Sequence, residues 1–249
     1  MSRDRFGFST GALERGNYLA ALDWIRGHEM RSIELSALRF DELEPLVNDL
    51  DRVRADEFLY VSFHAPSSFR PDQEEQVVSL LNRVAERDWN IVVHPDVIYT
   101  PARWEHFGRR LLIENMDRRK HTGRTASELS KIFEWLPRAR LCLDVAHARQ
   151  LDTTLTLLRS LISTFIDRIA EVHISELDSR CHHRSLSWNA ILDYSCIAER
   201  LSNVPVIIES MFDHADTTRR EHEIKLAQEA MEPSNYIKEV RNRRAHDCE

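Results

Sequence analysis

Eight short apolar runs, each ending in a polar residue, constrain this chain more than any other feature. They are R-F-G-F-S-T (5–10), S-I-E-L-S (32–36), L-Y-V-S-F-H-A-P (59–66), N-I-V-V-H-P (90–95), R-L-L-I-E-N (110–115), R-L-C-L-D (140–144), I-A-E-V-H-I-S (169–175) and V-P-V-I-I-E-S (204–210). Runs of this length, rich in Val, Ile and Leu, fit strands buried on both faces. Between them lie stretches with helical period: 17–26, 73–87, 125–136, 153–165, 194–201 and 221–231. Thr125 or Ser127 is placed to cap the third of these. Eight strands alternating with helices in 249 residues predict an α/β fold, a single (β/α)8 TIM barrel. A doubly wound open sheet is the alternative, but it gives no comparable reason to end strand after strand in a metal-capable residue. The barrel is expected to span 1–240, with 241–249 as a frayed, charged tail.

Composition removes several other classes. Six glycines and no G-x-G-x-x-G or G-x-x-x-x-G-K-[ST] disfavour a Rossmann dehydrogenase and a P-loop NTPase. The net charge of -7 weighs against a general nucleic-acid binder and leaves room for a local basic patch. Four cysteines without a C-x-x-C pair suggest neither a disulfide framework nor a zinc ribbon. No apolar run approaches the roughly 18–20 residues that span a bilayer, and the N-terminus lacks a hydrophobic signal region. The expectation is a reduced, soluble, cytoplasmic protein.

In a (β/α)8 barrel the active site is built from the C-terminal ends of the strands. Here those ends offer Glu34, His64, His94, Glu114, Asp144, His173 and Glu209, with His147 one turn after Asp144 and His183 after the seventh strand. Each has an ordinary reading: Asp144 as a helix cap, Glu209 as a surface carboxylate, His64 as a satisfied core histidine. Crowded together at one rim, they would repel one another or be costly to desolvate, and a divalent cation removes both problems. Imidazole with carboxylate suits Zn, Mn, Fe or Co, and nine candidates exceed what one ion needs, so two or three ions are expected. The loop M-D-R-R-K-H-T-G-R (116–124) adds Arg118, Arg119, Lys120 and Arg124 on the same rim, cations suited to a phosphorylated substrate. Arg70, Arg149 and Arg184 follow other strand ends.

The motifs H-A-P (64–66), V-V-H-P (92–95), I-E-N (113–115), L-D-V-A-H (143–147), V-H-I-S (172–175) and I-E-S (208–210) run in one order along almost the whole chain. That order resembles the xylose isomerase-like TIM-barrel superfamily, which includes sugar-phosphate isomerases and epimerases and the endonuclease IV type of abasic-site repair enzyme. The isomerase and epimerase branch implies four ligands, Glu114, Asp144, His173 and Glu209, with Glu114 and Glu209 as acid and base. The endonuclease IV branch implies a first ion on His64, His94 and a bridging Glu114. It implies a second on Glu114, Asp144, His173 and Glu209, and a third on His147, an aspartate and His183. This chain reads Cys181-His182-His183 where that branch has Asp-x-His, so Cys181 either serves in the aspartate's place or the third site is lost. Glu34 is expected to bind substrate or to orient a ligand from behind.

His64 and His94 tilt the expectation towards metal-assisted hydrolysis of a phosphoester in a small phosphorylated or polyhydroxylated substrate. Abasic DNA is less favoured. Ser67-Ser68-Phe69 stands where the repair enzymes carry a bulky aromatic, and Phe69 and Tyr99 are the nearest substitutes. A one-metal sugar isomerase or epimerase is the alternative. A catalytically inactive ligand-binding barrel is the third reading.

Overall fold

A computed structural model describes residues 4–28, 30–54, 57–212 and 216–246. Eight parallel strands close on themselves: β1 (Phe6–Ser9), β2 (Ser32–Ser36), β3 (Tyr60–His64), β4 (Asn90–Val93), β5 (Leu111–Glu114), β6 (Arg140–Asp144), β7 (Ile169–Ile174) and, after a small hairpin of β8 (Glu176–Leu177) and β9 (His183–Arg184), β10 (Val206–Ile208). Each barrel strand lies within one of the eight apolar runs. The hydrogen-bonded order is β1-β10-β7-β6-β5-β4-β3-β2, so β1 and β10 seal the barrel.

The two faces of the strands differ in chemistry because successive side chains point to opposite sides. One parity, including Phe63, Ile91, Val93, Ile113, Leu141, Leu143, Val172 and Ile174, belongs to the large core shared with the helices. The other parity points into the barrel and is largely polar: Glu34, Ser62, His64, Glu114, Asp144, Glu171 and His173 are all buried there. Only a small apolar plug of Val92, Leu112 and Cys142 separates from the main core. Between β6 and β7 the register slips at Leu141/Cys142, which brings Asp144 level with His173.

The helices are α1 (Thr10–Glu14), α2 (Tyr18–Gly27), α3 (Phe40–Asn48), α4 (Glu74–Ala85), α5 (Ala126–Trp135), α6 (Val145–Leu151), α7 (Thr156–Phe165), α8 (Trp188–Ser195), α9 (Thr217–Met231) and α10 (Asn235–His246). Thr125 is the cap of α5, its side chain accepting from Glu128 N at 3.2 Å. Between β4 and β5 the chain makes only short 3-10 turns. Glu74 braces that segment, its Oε1 accepting from Tyr99 N, Thr100 N and Trp104 Nε1 at 2.7, 2.8 and 3.0 Å.

The expected break after residue 240 is corrected by α10, which runs unbroken through it. Ile237 is buried and Arg241 Nη1 donates to Ser195 O at 2.9 Å, so the helix is docked on α8 despite its charge. Residues 247–249 lie outside the described residues.

Arg5 ties the start of the barrel to its end. Its Nη1 donates to Leu201 O and Val204 O, its Nη2 to Met231 O, and its Nε pairs with Glu232 at 2.9 Å. Gly7 permits the close approach of β1 to β2, since a β-carbon there would lie 2.2 Å from Ser32 O. No helix among the described residues is long and apolar enough to cross a membrane.

Candidate metal centre

The C-terminal strand ends open into a cavity of about 570 Å³ whose wall includes His64, His94, Glu114, His147, His183 and Glu209. At its centre is Glu114, the last residue of β5. One carboxylate oxygen, Oε2, lies 3.1 Å from His64 Nε2 and 3.1 Å from His94 Nε2. The other, Oε1, lies 3.3 Å from His147 Nδ1 and 3.7 Å from His173 Nδ1. A single carboxylate therefore faces two sets of donors.

Among the described residues four overlapping groups have ligand atoms within 4.8 Å of one another: His64, His94 and Glu114; Glu114, Asp144, His173 and Glu209; Asp144, His147 and His183; and, beneath them, Cys142, Glu171 and His173. Eight strand-end residues singled out in the sequence are thus brought together at one rim. Cys181 is not among them. It is buried in a left-handed conformation, φ 62°, and its thiol lies 3.2 Å from Gln150 Nε2. Asp144 stands with His147 and His183 instead.

The histidine tautomers are set by acceptors behind them, because a carbonyl or carboxylate oxygen can only accept. His64 Nδ1 donates to Ala65 O at 2.7 Å, leaving Nε2 to face Glu114. His147 Nδ1 donates to Asn115 O at 2.8 Å. His173 Nε2 donates to Glu171 Oε1 at 2.7 Å, with Glu34 Oε2 at 3.1 Å, which leaves Nδ1 towards Glu114 and Glu209. Such partners fix the ring and raise its basicity as a ligand. Asn115 also clamps the Asp144 backbone, donating to its O and accepting from its N, both at 2.8 Å.

Electrostatics at the rim are unbalanced. Burial, reinforced by Glu209, pushes the Asp144 carboxyl well above its ordinary range. Burial also raises Glu34, against the pull of His173. For Glu114 burial acts upward as well, but His94 and the hydrogen bonds of His173 and His64 outweigh it and hold the group well below its usual value. Burial lowers His94. It acts the same way on His64, but Glu114 and Glu34 reverse it and take that imidazole up to about 9. Asp144 Oδ2 and His173 Nδ1 are buried without a hydrogen-bond partner. Two unsatisfied ligand atoms of different type in one four-residue group suit a divalent cation, which would satisfy both, since unpaired buried polar atoms are costly.

The rim cations divide. Arg119 and Lys120 line the cavity, Arg119 paired with Asp117 and Lys120 Nζ 2.6 Å from Asp96 Oδ2. Arg118 instead donates to Ser179 O, and Arg124 pairs with Glu128 at 3.3 Å, both away from the cavity wall. Arg149 is held by Glu176 and Asp193, Arg70 by its neighbour Asp72, and Arg184 lies 3.4 Å from Glu176. Glu34, expected to bind substrate or to orient a ligand from behind, does not line the cavity and is fully buried, with Oε2 3.1 Å from His173 Nε2. Phe69 is buried, and Tyr99 is tied down by its hydroxyl to Phe69 O at 2.6 Å, so neither projects as a wedge.

Sequence reasoning passed over Glu171, Tyr60 and Asn115. Glu171 is two residues before His173 in β7 and so shares its inward face. A carboxylate at that spacing inside an apolar run was the available signal.

Among solved structures the chain is similar to endonuclease IV from Thermus thermophilus, with 18% identity over 92% of this chain and 100% of that one and a TM-score of 0.63. It is similar to D-psicose 3-epimerase from Clostridium cellulolyticum, with 14% identity over 93% and 98% and a TM-score of 0.62. A third is 3-keto-D-glucoside 4-epimerase from E. coli, with 16% identity over 91% and 98% and a TM-score of 0.60. At these identities the likeness is one of fold. A search of curated proteins finds no match. The family model described as xylose isomerase-like TIM barrel matches residues 59–234, well over half the chain. With that match and a closed eight-stranded parallel barrel, the chain belongs to the xylose isomerase-like TIM barrel family.

Proposed function

We propose that the chain is a divalent-metal-dependent phosphoesterase acting on a small phosphorylated, sugar-like substrate. The observation that carries this reading is the position of Glu114, with Oε2 facing Nε2 of His64 and His94 and Oε1 facing the unpartnered Nδ1 of His173. A carboxylate so placed is suited to bridging two ions. His64, His94 and Glu114 would hold one, and Glu114, Asp144, His173 and Glu209 the other, with His147 and His183 beside Asp144 available for a third. Zn, Mn or Fe held by these residues would supply Lewis-acid stabilisation of the phosphoester oxygens and a nucleophilic hydroxide near neutral pH. Lys120 and Arg119 on the cavity wall orient the phosphoryl group, and Glu171 and Glu34 hold the His173 ring at a fixed angle. Ser9, Ser36, Ser67 and Ser68 on the wall offer hydroxyls to a polyhydroxylated substrate.

The one-metal sugar epimerase is the second reading. It is favoured by the compactness of the Glu114, Asp144, His173 and Glu209 group, in which Glu114 and Glu209 lie 3.7 and 3.4 Å from His173 Nδ1 and would serve as acid and base.

Elemental analysis of purified protein, beside the Glu114→Ala variant, separates the two. Two or more ions per chain, lost together in the variant, and phosphate release from sugar phosphates support the phosphoesterase. A single ion per chain with epimerisation of a free or phosphorylated sugar overturns it. An absence of tightly bound metal, with neither activity, supports an inactive ligand-binding barrel.

A further inference from the structure

At the opposite end of the barrel, where the strands begin, a second cavity of about 340 Å³ has a very different wall. Four guanidiniums, those of Arg109, Arg110, Arg138 and Arg140, meet there against one carboxylate, Asp88. All stand at strand entrances: Asp88 precedes β4, Arg109 and Arg110 precede β5, Arg138 precedes β6, and Arg140 opens it. Asp88 is taken by Arg110, to which it is directly paired. Arg140 is anchored by the backbone and by Asn90, its Nε donating to Arg109 O at 2.6 Å and its Nη2 to Asn90 Oδ1 at 2.6 Å. Arg109 and Arg138 have no carboxylate partner among the described residues. The Arg138 guanidinium rests over Gly108, where a β-carbon would come within 3.1 Å of it, so a left-handed glycine gives this cation its seat.

Such a gathering is unfavourable by itself. Like charges repel, and burial together with Arg109 lowers the Arg140 guanidinium from its ordinary value. On a chain of net charge -7, three cations in excess at one hollow make a local field of the opposite sign to the whole. Guanidiniums present paired N–H donors in a fork that matches the oxygens of phosphate as it does those of carboxylate, and three cations in excess suit an anion that carries more than one charge.

We propose that this cavity is a binding site for a phosphate-bearing anion, separate from the metal centre and on the other face of the barrel. Arg109 and Arg138 supply the free charge, and Arg140 and Asn90 form the floor. The floor also connects to the metal centre: Asn90 Nδ2 donates to Tyr60 OH at 3.0 Å, Tyr60 donates to Glu171, and Glu171 accepts from His173. An anion held there sits at one end of an unbroken line of side-chain hydrogen bonds that ends at a metal-capable histidine.

The test is calorimetric titration of the full chain with inorganic phosphate at low ionic strength. Three proteins are compared: wild type, Arg109→Ala/Arg138→Ala, and Lys120→Ala at the other cavity. Both arginines are exposed, so the double variant is expected to fold, which circular dichroism checks. The expected result is a phosphate-binding event, distinct from any at the metal centre, that weakens about tenfold or more in the double variant, as lost charged hydrogen bonds should make it, and persists in Lys120→Ala. Rising salt should weaken the same event. Equal binding by wild type and the double variant overturns the site, as does a wild type that takes up no phosphate or one whose entire binding disappears in Lys120→Ala. If the double variant misfolds, Arg109→Gln alone carries the comparison.

Discussion

Glu74→Ala should be among the most destabilising single changes in this chain. The carboxylate is buried at the start of α4, and one of its oxygens accepts three N–H groups, from Tyr99, Thr100 and Trp104. It thereby holds the segment that leaves His94 and reaches β5 without an α-helix. A hydrogen bond to a charged group contributes about 1.5–3 kcal/mol. Tyr99 and Thr100 lie near solvent, and water can replace part of what they lose, but the Trp104 indole is fully buried and has no substitute. The alanine variant should therefore lose roughly 3–5 kcal/mol, at the upper end for point substitutions. For a chain of this size that lowers Tm by roughly 6–20 °C. Glu74→Gln keeps one acceptor oxygen and should lose about 1–2 kcal/mol. Burial alone would raise the carboxyl, but the Trp104, Thr100 and Tyr99 donors outweigh it and hold it below its usual value of 4.5. A depressed folded-state value means stability that is present above the unfolded value and lost as pH falls through the folded one. The glutamine variant should therefore lose part of the acid-side decline. Urea unfolding of wild type, both variants, Trp104→Phe and the double variant Glu74→Ala/Trp104→Phe, combined as a double-mutant cycle, measures each contribution. An alanine variant within about 1 kcal/mol of wild type would refute the account.

Other changes test separate parts of the molecule. Glu171→Gln, which weakens the acceptor behind His173, should reduce metal affinity about 10–100-fold in a zinc competition titration while leaving the fold intact by circular dichroism; unchanged affinity would mean His173 needs no such support. Gly7→Ala forces a β-carbon to 2.2 Å from Ser32 O and should cost about 3 kcal/mol or more in chemical unfolding, and a near-neutral result would show that β1 can move off β2. Thr125→Ala removes the α5 cap and should cost about 1 kcal/mol, which a melting series beside Thr125→Ser can read.

The barrel strands were legible because a two-sided buried strand has to be a short apolar run, and nothing else in the chain imitates eight of them. The rim residues followed because the fold places every strand end on one side. The helices were harder. Pro45 inside α3 argues against a helix in sequence, and at the sixth helical position it does forgo the bond to the Asp41 carbonyl, yet the helix forms around it because Leu43, Leu46 and Val47 are buried on its inner face. Charge disguised α10, whose few apolar positions, Ile237 and Val240, suffice to dock it. The connection between β4 and β5 shows the reverse: Pro95 and Pro101 forbid a regular helix there, and Glu74 supplies from another element the acceptors that a helix would have provided for itself. At the site, Asp144 caps α6 through His147 N at 2.7 Å with one oxygen and leaves the other without a hydrogen-bond partner, so the cap reading and a ligand role do not exclude each other. Sequence left Glu34 with two possible places and Cys181 with two possible fates, because burial depth decides the first and backbone handedness the second.

The seal between β1 and β10 also sets a timetable for making the protein. Phe6 pairs with Val206, and Arg5 waits for carbonyls at Leu201, Val204 and Met231. A ribosome adding about 5–20 residues per second needs roughly 10–40 s to travel from one partner to the other. Throughout that interval one edge of the first strand is without its neighbour, and the half-made sheet exposes an inner face of carboxylates and imidazoles. Those charges keep the growing edge soluble and unattractive to other strands. The same buried polarity that suits a metal centre in the finished barrel thus protects the nascent chain before the barrel can close.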